Sequence, residues 1–467
     1  MRWQTCVGFT LTIILAAIFL ISCGGSSTQP GTVNLSLSDP ATCAAPQGPF
    51  SHIYVTITDV QIHQSADASD TDAGWVHLAP GLKSNPVQVD LLGVANQCFL
   101  AMLGSTGIQP GTYQQLRVFL AKDGVSVNNN KCGIASNCAM LTSDPLNTPL
   151  PLQLSSETQT GIKIPSGQIA GGKFVVGSGE TKDLNLDFNA CASIVFQGNG
   201  KYRLKPVLHA GEVSLTSAST AISGTIIDSV TKSAVVGGNT VVALEQNING
   251  VDRVIMETVA TSNGGFAFCP VPDGTYDVVV AAIDGTGNEY AATVITGVQP
   301  GNSLGTVPLT LTSTPNAPAT ITVPITTSTG AAGTVADLSV SALQSIGPNV
   351  LATIPLAQQS AATATVTTVP DPSCAASTDC ASQPLAVPAS NPSIGTFTPG
   401  GTQTPNAPAP GSVTYTVDAN AFVPGKAGLP DCNPSNVQKS QDASNNPLTV
   451  TPGGSVTSAT LAFTGCL

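Results

Sequence analysis

The chain is expected to be all-β, built as serial β-sandwich domains behind an N-terminal lipoprotein signal peptide. Three observations predict the β class. Gly (46) and Pro (35) are abundant among 467 residues and punctuate short apolar runs, the mark of many short strands joined by turns. Charged residues are only 9 %, against roughly a quarter in an average soluble domain. The apolar residues repeatedly alternate with polar ones, as in half-buried strands. The same numbers exclude other classes. Helical bundles and coiled coils need Glu, Lys, Leu and Arg in abundance. A nucleic-acid binder needs a basic footprint, but the formal net charge is −12 and no Lys or Arg occurs between Arg253 and Lys426. A hydrophobic content of 42 % excludes a charged disordered chain.

Residues 1–22 stand apart from the fold. Arg2 supplies a positive start, and Cys6 to Ile21 is an apolar run of 16 residues, short of the roughly 20 that span a bilayer as a helix. The run ends in Leu20-Ile21-Ser22-Cys23, which resembles the bacterial lipobox. That resemblance implies a diacylglycerol on the Cys23 thiol, cleavage before Cys23 and N-acylation, hence an exported, membrane-anchored lipoprotein. Several acyl chains anchor stably, because each buried methylene contributes about 0.8 kcal/mol. In lipoproteins of two-membraned bacteria an Asp after the Cys marks inner-membrane retention. Gly24 stands there instead, which points to the outer membrane, on its periplasmic or surface face. Residues 23–31 read as a tether, flexible from Ser26 to Gly31.

Twelve Cys less Cys6 and Cys23 leave ten, an even number in an exported chain, and so a disulfide framework. Cys132 with Cys138, and Cys374 with Cys380, are local staples of equal span. Cys432 with Cys466 ties down the C-terminus, and Cys43 with Cys98 crosses the first domain. Cys191 and Cys269 fall in different domains, and either bridge them or stay as buried thiols. A zinc reading fails, since no Cys-x-x-Cys occurs and the last His is His209. No metal and no cofactor is expected.

Residues 32–216 form a first sandwich. Val33, Leu35 and Leu37 alternate. Ile53, Val55 and Ile57 fall on odd positions, then Val60 and Ile62 on even ones, which predicts a bulge near Thr58 and Asp59. Pro110 to Tyr113 is a turn entering the strand of Leu116, Val118 and Leu120. Leu184, Leu186 and Phe188 alternate, and Lys201 to His209 reads as a closing strand. In order along this segment stand Val33-Asn-Leu-Ser-Leu-Ser-Asp39, the run Ile53 to His63, Trp75-Val-His-Leu78, Val89-Asp-Leu-Leu92, Gln109-Pro-Gly-Thr-Tyr113, Thr160-Gly-Ile-Lys163, Asp183-Leu-Asn-Leu-Asp-Phe188 and Gly198-Asn-Gly-Lys-Tyr-Arg-Leu-Lys-Pro206. Together, over residues 32–213, they resemble a bacterial lipoprotein domain known as domain of unknown function 4382. The Cys-bearing insertions at 40–49 and 128–145 depart from that pattern and suggest extra stapling.

Residues 219–312 form a second unit. Ile222 to Asp228, Asn263-Gly-Gly-Phe-Ala-Phe268 and Val271-Pro-Asp-Gly-Thr-Tyr-Asp-Val278 look like the carboxypeptidase regulatory-like domain, a small prealbumin-type sandwich. Phe266, Phe268, Tyr276 and Val278 line one face. The resemblance implies a carbohydrate-binding-like fold but carries no sugar site over by residue. Residues 313–467 are rich in Thr, Ser, Ala and Pro. Ile321, Val323 and Ile325 alternate, as do Val413, Tyr415 and Val417, with Val456, Leu461 and Phe463 less regular. They predict a third sandwich with long loops at 368–412 and 424–448.

No catalytic constellation emerges. Gly301-Asn-Ser303-Leu-Gly305 fits a nucleophile elbow, but no helix pattern and no His follow it. His52 and His63 stand about 35 Å apart along an extended strand, and with His77 and His209 read as surface or strand-end residues. Asp67, Asp70 and Asp72 are spaced for Ca²⁺ but lack the Gly and Glu of that loop, so a solvated hairpin loop is expected. Lys201, Arg203 and Lys205 read as a solvent-facing strand that discourages edge pairing. The expected function is therefore that of a lipid-anchored cell-envelope protein with a binding or structural role, not an enzyme. Its membrane contact is the lipid on Cys23, and a polysaccharide or a surface protein is the candidate partner. One alternative is a carbohydrate-binding envelope module acting through the second unit. Another is a carboxylate-based hydrolase, which requires two acids in one cleft.

Overall fold

The computed structural model describes residues 29–38, 50–66, 68–69, 71–92, 101–154, 161–198, 201–204, 208–213, 221–235, 237–313, 315–328, 336–372, 374, 378–422, 432, 434 and 436–466. Cys23, Cys43, Cys98, Asp67, Asp70 and Lys205 lie outside them. The protein is all-β: among the described residues no helix exceeds four residues, and none is long and apolar enough to cross a membrane.

The first sandwich packs two sheets. One has the order Leu208–Glu212, Thr181–Phe188, Gly31–Ser38 and Ala101–Ile108, its central pair parallel. The other is built on the long strand Phe50–His63, flanked by Gln115–Leu120 and Cys138–Leu141. The switch from odd to even apolar positions in that strand is a register shift between Ile57 and Asp59. The extra residue turns Ile53, Val55, Ile57, Val60 and Ile62 into one core with Leu35, Leu184 and Phe188. Each such fully buried side chain contributes about 1.5–3 kcal/mol. The stretch Lys201 to His209 is not one strand. Lys201–Leu204 and Leu208–Glu212 belong to different sheets, with Pro206 between them, a residue that cannot donate to a ladder.

Residues 219–312 and 313–467 share a single ten-stranded sheet. Two parallel pairings join the segments: Val251–Val259 with Val350–Thr353, and Thr293–Val298 with Ser393–Thr396. One half of this sheet packs on the three strands Gly265–Phe268, Ile222–Asp228 and Ser303–Leu309, burying Phe266, Phe268, Tyr276 and Val278 together. The other half packs on a five-stranded sheet around Ala319–Ser328. The span expected as a loop at 368–412 holds the strand Thr378–Val387, paired along its whole length with Ala319–Ser328. Its first half carries small and polar residues, and Pro384 interrupts the rest, so no two-residue period marked it. Asn436–Lys439 likewise forms a strand inside the expected 424–448 loop.

Disulfides join Cys132 to Cys138, Cys374 to Cys380 and Cys432 to Cys466, and Cys269 is disulfide-bonded too. The first sandwich docks on the rest through residues 165–172 and 208–212. There the Gly171 amide donates to Gln246 Oε1, the Asp273 amide donates to the Glu212 carbonyl at 3.2 Å, and a Cβ on Gly211 would collide with Pro272.

The shared sheet also buries acids. Glu289 is fully enclosed with neither carboxyl oxygen hydrogen-bonded, and burial pushes its pKa up to about 8. The unfolded chain gives up this proton near the ordinary value of 4.5, the folded chain near 8. Its contribution to stability is therefore full below 4.5 and is lost as pH rises to about 8. Glu257, at about 7, acts in the same direction. His209, held down to about 4 by burial, acts oppositely, but only below its ordinary value of 6.5. Urea unfolding should therefore show stability falling from pH 5.5 to 8. Glu289→Met should flatten that fall and raise stability at pH 8 by roughly 3 kcal/mol; an unchanged profile would mean that Glu289 ionises in place without cost.

Candidate functional site

The pairing of Val251–Val259 with Val350–Thr353 consists of Val251 opposite Leu351 and Asp252 opposite Ala352. Beyond Asp252 the ladder stops, and a cleft of about 420 Å³ opens there. Its floor comes from three neighbouring strands, Asp337–Gly347, Thr416–Phe422 and Asn436–Lys439. Register sets the floor in two rows: Ser339, Asn420 and Asn436 lie side by side, and so do Ser341, Asp418 and Gln438. The alternate positions Leu338, Val340, Ala342, Val417, Ala419 and Val437 face the opposite way, into the core. Two-residue alternation thus gives these strands one apolar and one hydrogen-bonding face. Residues 165–168 and His209 of the first sandwich cover the cleft, and Val251, Arg253 and Glu257 flank it.

Asp418 organises the floor. Its side chain is fully buried. Arg253 Nη1 donates to Oδ2 at 2.5 Å and Nη2 to Oδ1 at 3.2 Å. Oδ1 also accepts from Asn436 Nδ2 at 2.9 Å and Gln438 Nε2 at 2.7 Å, and Oδ2 from Asn420 Nδ2 at 3.2 Å. Five donors on one carboxylate satisfy its lone pairs, which is the condition for burying that charge. They also hold three amide side chains in fixed orientations.

The wall beneath the first sandwich is made differently. Glu257 Oε2 accepts the Ala362 amide at 2.6 Å. Burial pushes its pKa to about 7, against the pull of that bond and of one with Asn189. His209 is 4 % exposed with no partner on Nδ1. Between about 4 and about 7 both groups are therefore neutral. Asp187, directly opposite His209 in the sheet, is pushed up by burial and by Glu257, against a hydrogen bond from the Ser38 hydroxyl. A second acid cluster lies in the same region. Glu245 is pushed up by burial and by Asp252, while its Oε2 accepts the Thr353 amide at 3.0 Å. Asp252 and Asp277 hydrogen-bond each other, both raised first by burial.

Few of the residues singled out by sequence come together here. Ser303 is exposed and begins a strand, Ser303–Leu309, paired in parallel with Ile222–Asp228, where an elbow needs a helix. His52 pairs with Asp90 at 2.6 Å and His77 with Asp59 at 2.9 Å. His63 packs against Trp75 with ring centroids 5.0 Å apart and the planes tilted by 49°, and Arg117 lies 4.6 Å over the same indole. Asp72 caps the Ser69 amide and hydroxyl. Among the described residues no group of three His, Cys, Asp or Glu could hold a metal ion. Lys201 is exposed beside the buried Tyr202 and Leu204. His209 is no surface histidine: it is the one that reaches the cleft. Asp418, Asn436, Gln438 and Glu257 were not anticipated, although the long stretch without Lys or Arg after Arg253 was a signal that any buried acid there would depend on that cation.

Arg253→Met strands the Asp418 charge and should cost about 3–5 kcal/mol in urea unfolding. Arg253→Met combined with Asp418→Leu should recover much of that loss. Strict additivity of the two substitutions would show that the groups are not coupled.

Among solved structures, the chain is similar to the Bacillus anthracis TIE protein at 10 % identity and TM-score 0.15, over 93 % of this chain and 51 % of that one; it thus spans about half the length of that protein. It is similar to a streptococcal ancillary pilin at 9 % identity and TM-score 0.17, over 92 % and 99 % of the two chains. It is also similar to GBS52, a minor pilin of Streptococcus agalactiae, at 15 % identity and TM-score 0.16, over 62 % and 99 %. No curated protein matches the chain. Residues 30–206, the first sandwich, match the family described as a domain of unknown function, DUF4382.

Proposed function

We infer that the chain is an exported lipoprotein, anchored in the outer membrane through Cys23, that acts by binding at the cell envelope and not by catalysis. The observation that carries the binding role is the cleft where the first sandwich meets the shared sheet. Its lining is dominated by amides and hydroxyls. Among the described residues Glu257 is the only carboxyl group that lines it. A two-carboxylate hydrolase needs a second acid with a free oxygen. Asp418, the acid behind the floor, has both oxygens occupied by five hydrogen bonds.

The anchoring role is supported by Leu20-Ile21-Ser22-Cys23 and by Gly24. The segment 219–312 serves as a regulatory-like sandwich that presents Val251–Val259 to the cleft and leaves the chemistry to side chains from all three segments. Beyond the cleft, the serial sandwiches give the protein an architectural role in spacing that site from the membrane.

Expression of the full chain in a two-membraned bacterium with an alkyne-tagged fatty acid tests the anchor. The wild type should carry the label and sediment with outer membranes. Cys23→Ala should lose the label. An unlabelled wild type released in soluble form would overturn the lipoprotein reading.

A further inference from the structure

We propose that the cleft beneath residues 165–168 takes an uncharged, polyhydroxylated ligand of the saccharide class. The inference rests on the reading of the chain as a binding protein and names what that site recognises.

The size is suitable: small-molecule sites span about 300–1,000 Å³, and this cleft has about 420 Å³. The charge pattern selects against ions. An ion entering the cleft loses hydration, a cost recovered only where an unpaired opposite charge waits. Arg253 is already held by both oxygens of Asp418. Glu257 and His209 are neutral between about 4 and about 7. Among the described residues the cleft thus offers an anion no free cation and a cation no free carboxylate.

What it does offer is hydrogen bonding without charge. Ser339 and Asn436 form one row with Asn420, and Ser341 and Gln438 form the next around Asp418. The rows place polar groups at the interstrand spacing of about 4.8 Å. Because Asp418 takes the amide N–H groups of Asn436 and Gln438, their oxygens are left to accept from ligand hydroxyls. His209 contributes an independent sign. It lines the cleft, is almost wholly buried, and its Nδ1 has no partner. A buried polar atom left unpaired costs about 1–3 kcal/mol, so the cover over the cleft at His209 is not closed by hydrogen bonding within the protein. Val251, Val254 and Ile248 add an apolar wall against which the C–H face of a sugar ring can rest. Asp337–Gly347 and Thr416–Phe422 are each paired on both edges, which leaves a peptide strand only the outer edge of Asn436–Lys439 and the edge of Val251–Val259 beyond Asp252 to extend, and the neutral peptide comparator tests that occupant.

The test uses the full chain in a non-glycosidic detergent. Saturation-transfer NMR and calorimetry are run against maltotriose, cellotriose, xylotriose and chitotriose, with inorganic phosphate, polygalacturonate and a neutral peptide as comparators. At least one neutral sugar should bind at pH 6. Ser339→Leu fills the floor without removing any hydrogen bond to Asp418 and should weaken binding at least tenfold at an unchanged melting temperature. Gln168→Ala, on the partly exposed cover, should weaken it several-fold and decides the case where Ser339→Leu fails to fold. The proposal is overturned if no neutral sugar binds, or if binding is indifferent to the substitution that decides the case. Capture of phosphate, polygalacturonate or peptide that is lost in these variants, with no sugar bound, would reject the ligand class while leaving the binding-protein reading intact.

Discussion

A buried carboxylate in a stretch of chain that has no Lys or Arg between Arg253 and Lys426 sets the terms for the centre of this molecule. Asp418 has no exposed surface, and Arg253 is the last Lys or Arg before Lys426. Bringing the two together requires Thr416–Phe422 to lie beside Asp337–Gly347, that strand beside Val350–Thr353, and that one beside Val251–Val259. The ion pair, the order of strands and the fusion of the second and third segments into one sheet are thus consequences of each other. The amides of Asn420, Asn436 and Gln438 complete the shell, and a polar floor is the by-product of keeping one charge buried.

Elsewhere the same shortage of cations is met with protons. Glu257, Glu289, Glu245 and Asp187 make no ion pair among the described residues, and burial raises the pKa of each, to about 7 for Glu257 and about 8 for Glu289. An acidic protein with a formal charge of −12 has this alternative only where desolvation is strong enough to outweigh ionisation. The cleft brings both solutions face to face: a saturated charge in the floor and neutral groups in the wall.

The fold was legible where apolar side chains alternate. Val33 to Leu37, the bulged Ile53 to Ile62, Leu184 to Phe188 and Ile321 to Ile325 each announced a strand, because burial on one face leaves a period of two. Thr378–Val387 was silent: small residues and a proline can occupy a central strand when neighbours fill the space, and a single strand's pattern does not record its neighbours. The joined sheet was illegible for the same reason, since Val251 meets Leu351 and Thr293 meets Ser393 across about a hundred residues. The cleft residues were hidden in plain alternation. Val413, Tyr415 and Val417 marked the apolar face, while Asp418 and Asn420 on the other face carry no signal of a site by themselves; only register sets Asn436 and Gln438 beside them.

The parallel joints bear on how the protein is made. Antiparallel hairpins close as soon as both strands emerge, but Val251–Val259 must wait for Val350–Thr353, and Ile325 for its partner Leu461 close to the end of the chain. Contacts so distant in sequence slow folding and leave strand edges open meanwhile. During synthesis the N-terminal sandwich can condense on its own contacts while the remaining residues stay an unfinished sheet until the final segment emerges. A nascent chain halted near residue 312 would present Val251–Val259 and Thr293–Val298 as bare edges, a form for chaperones and proteases to hold or remove.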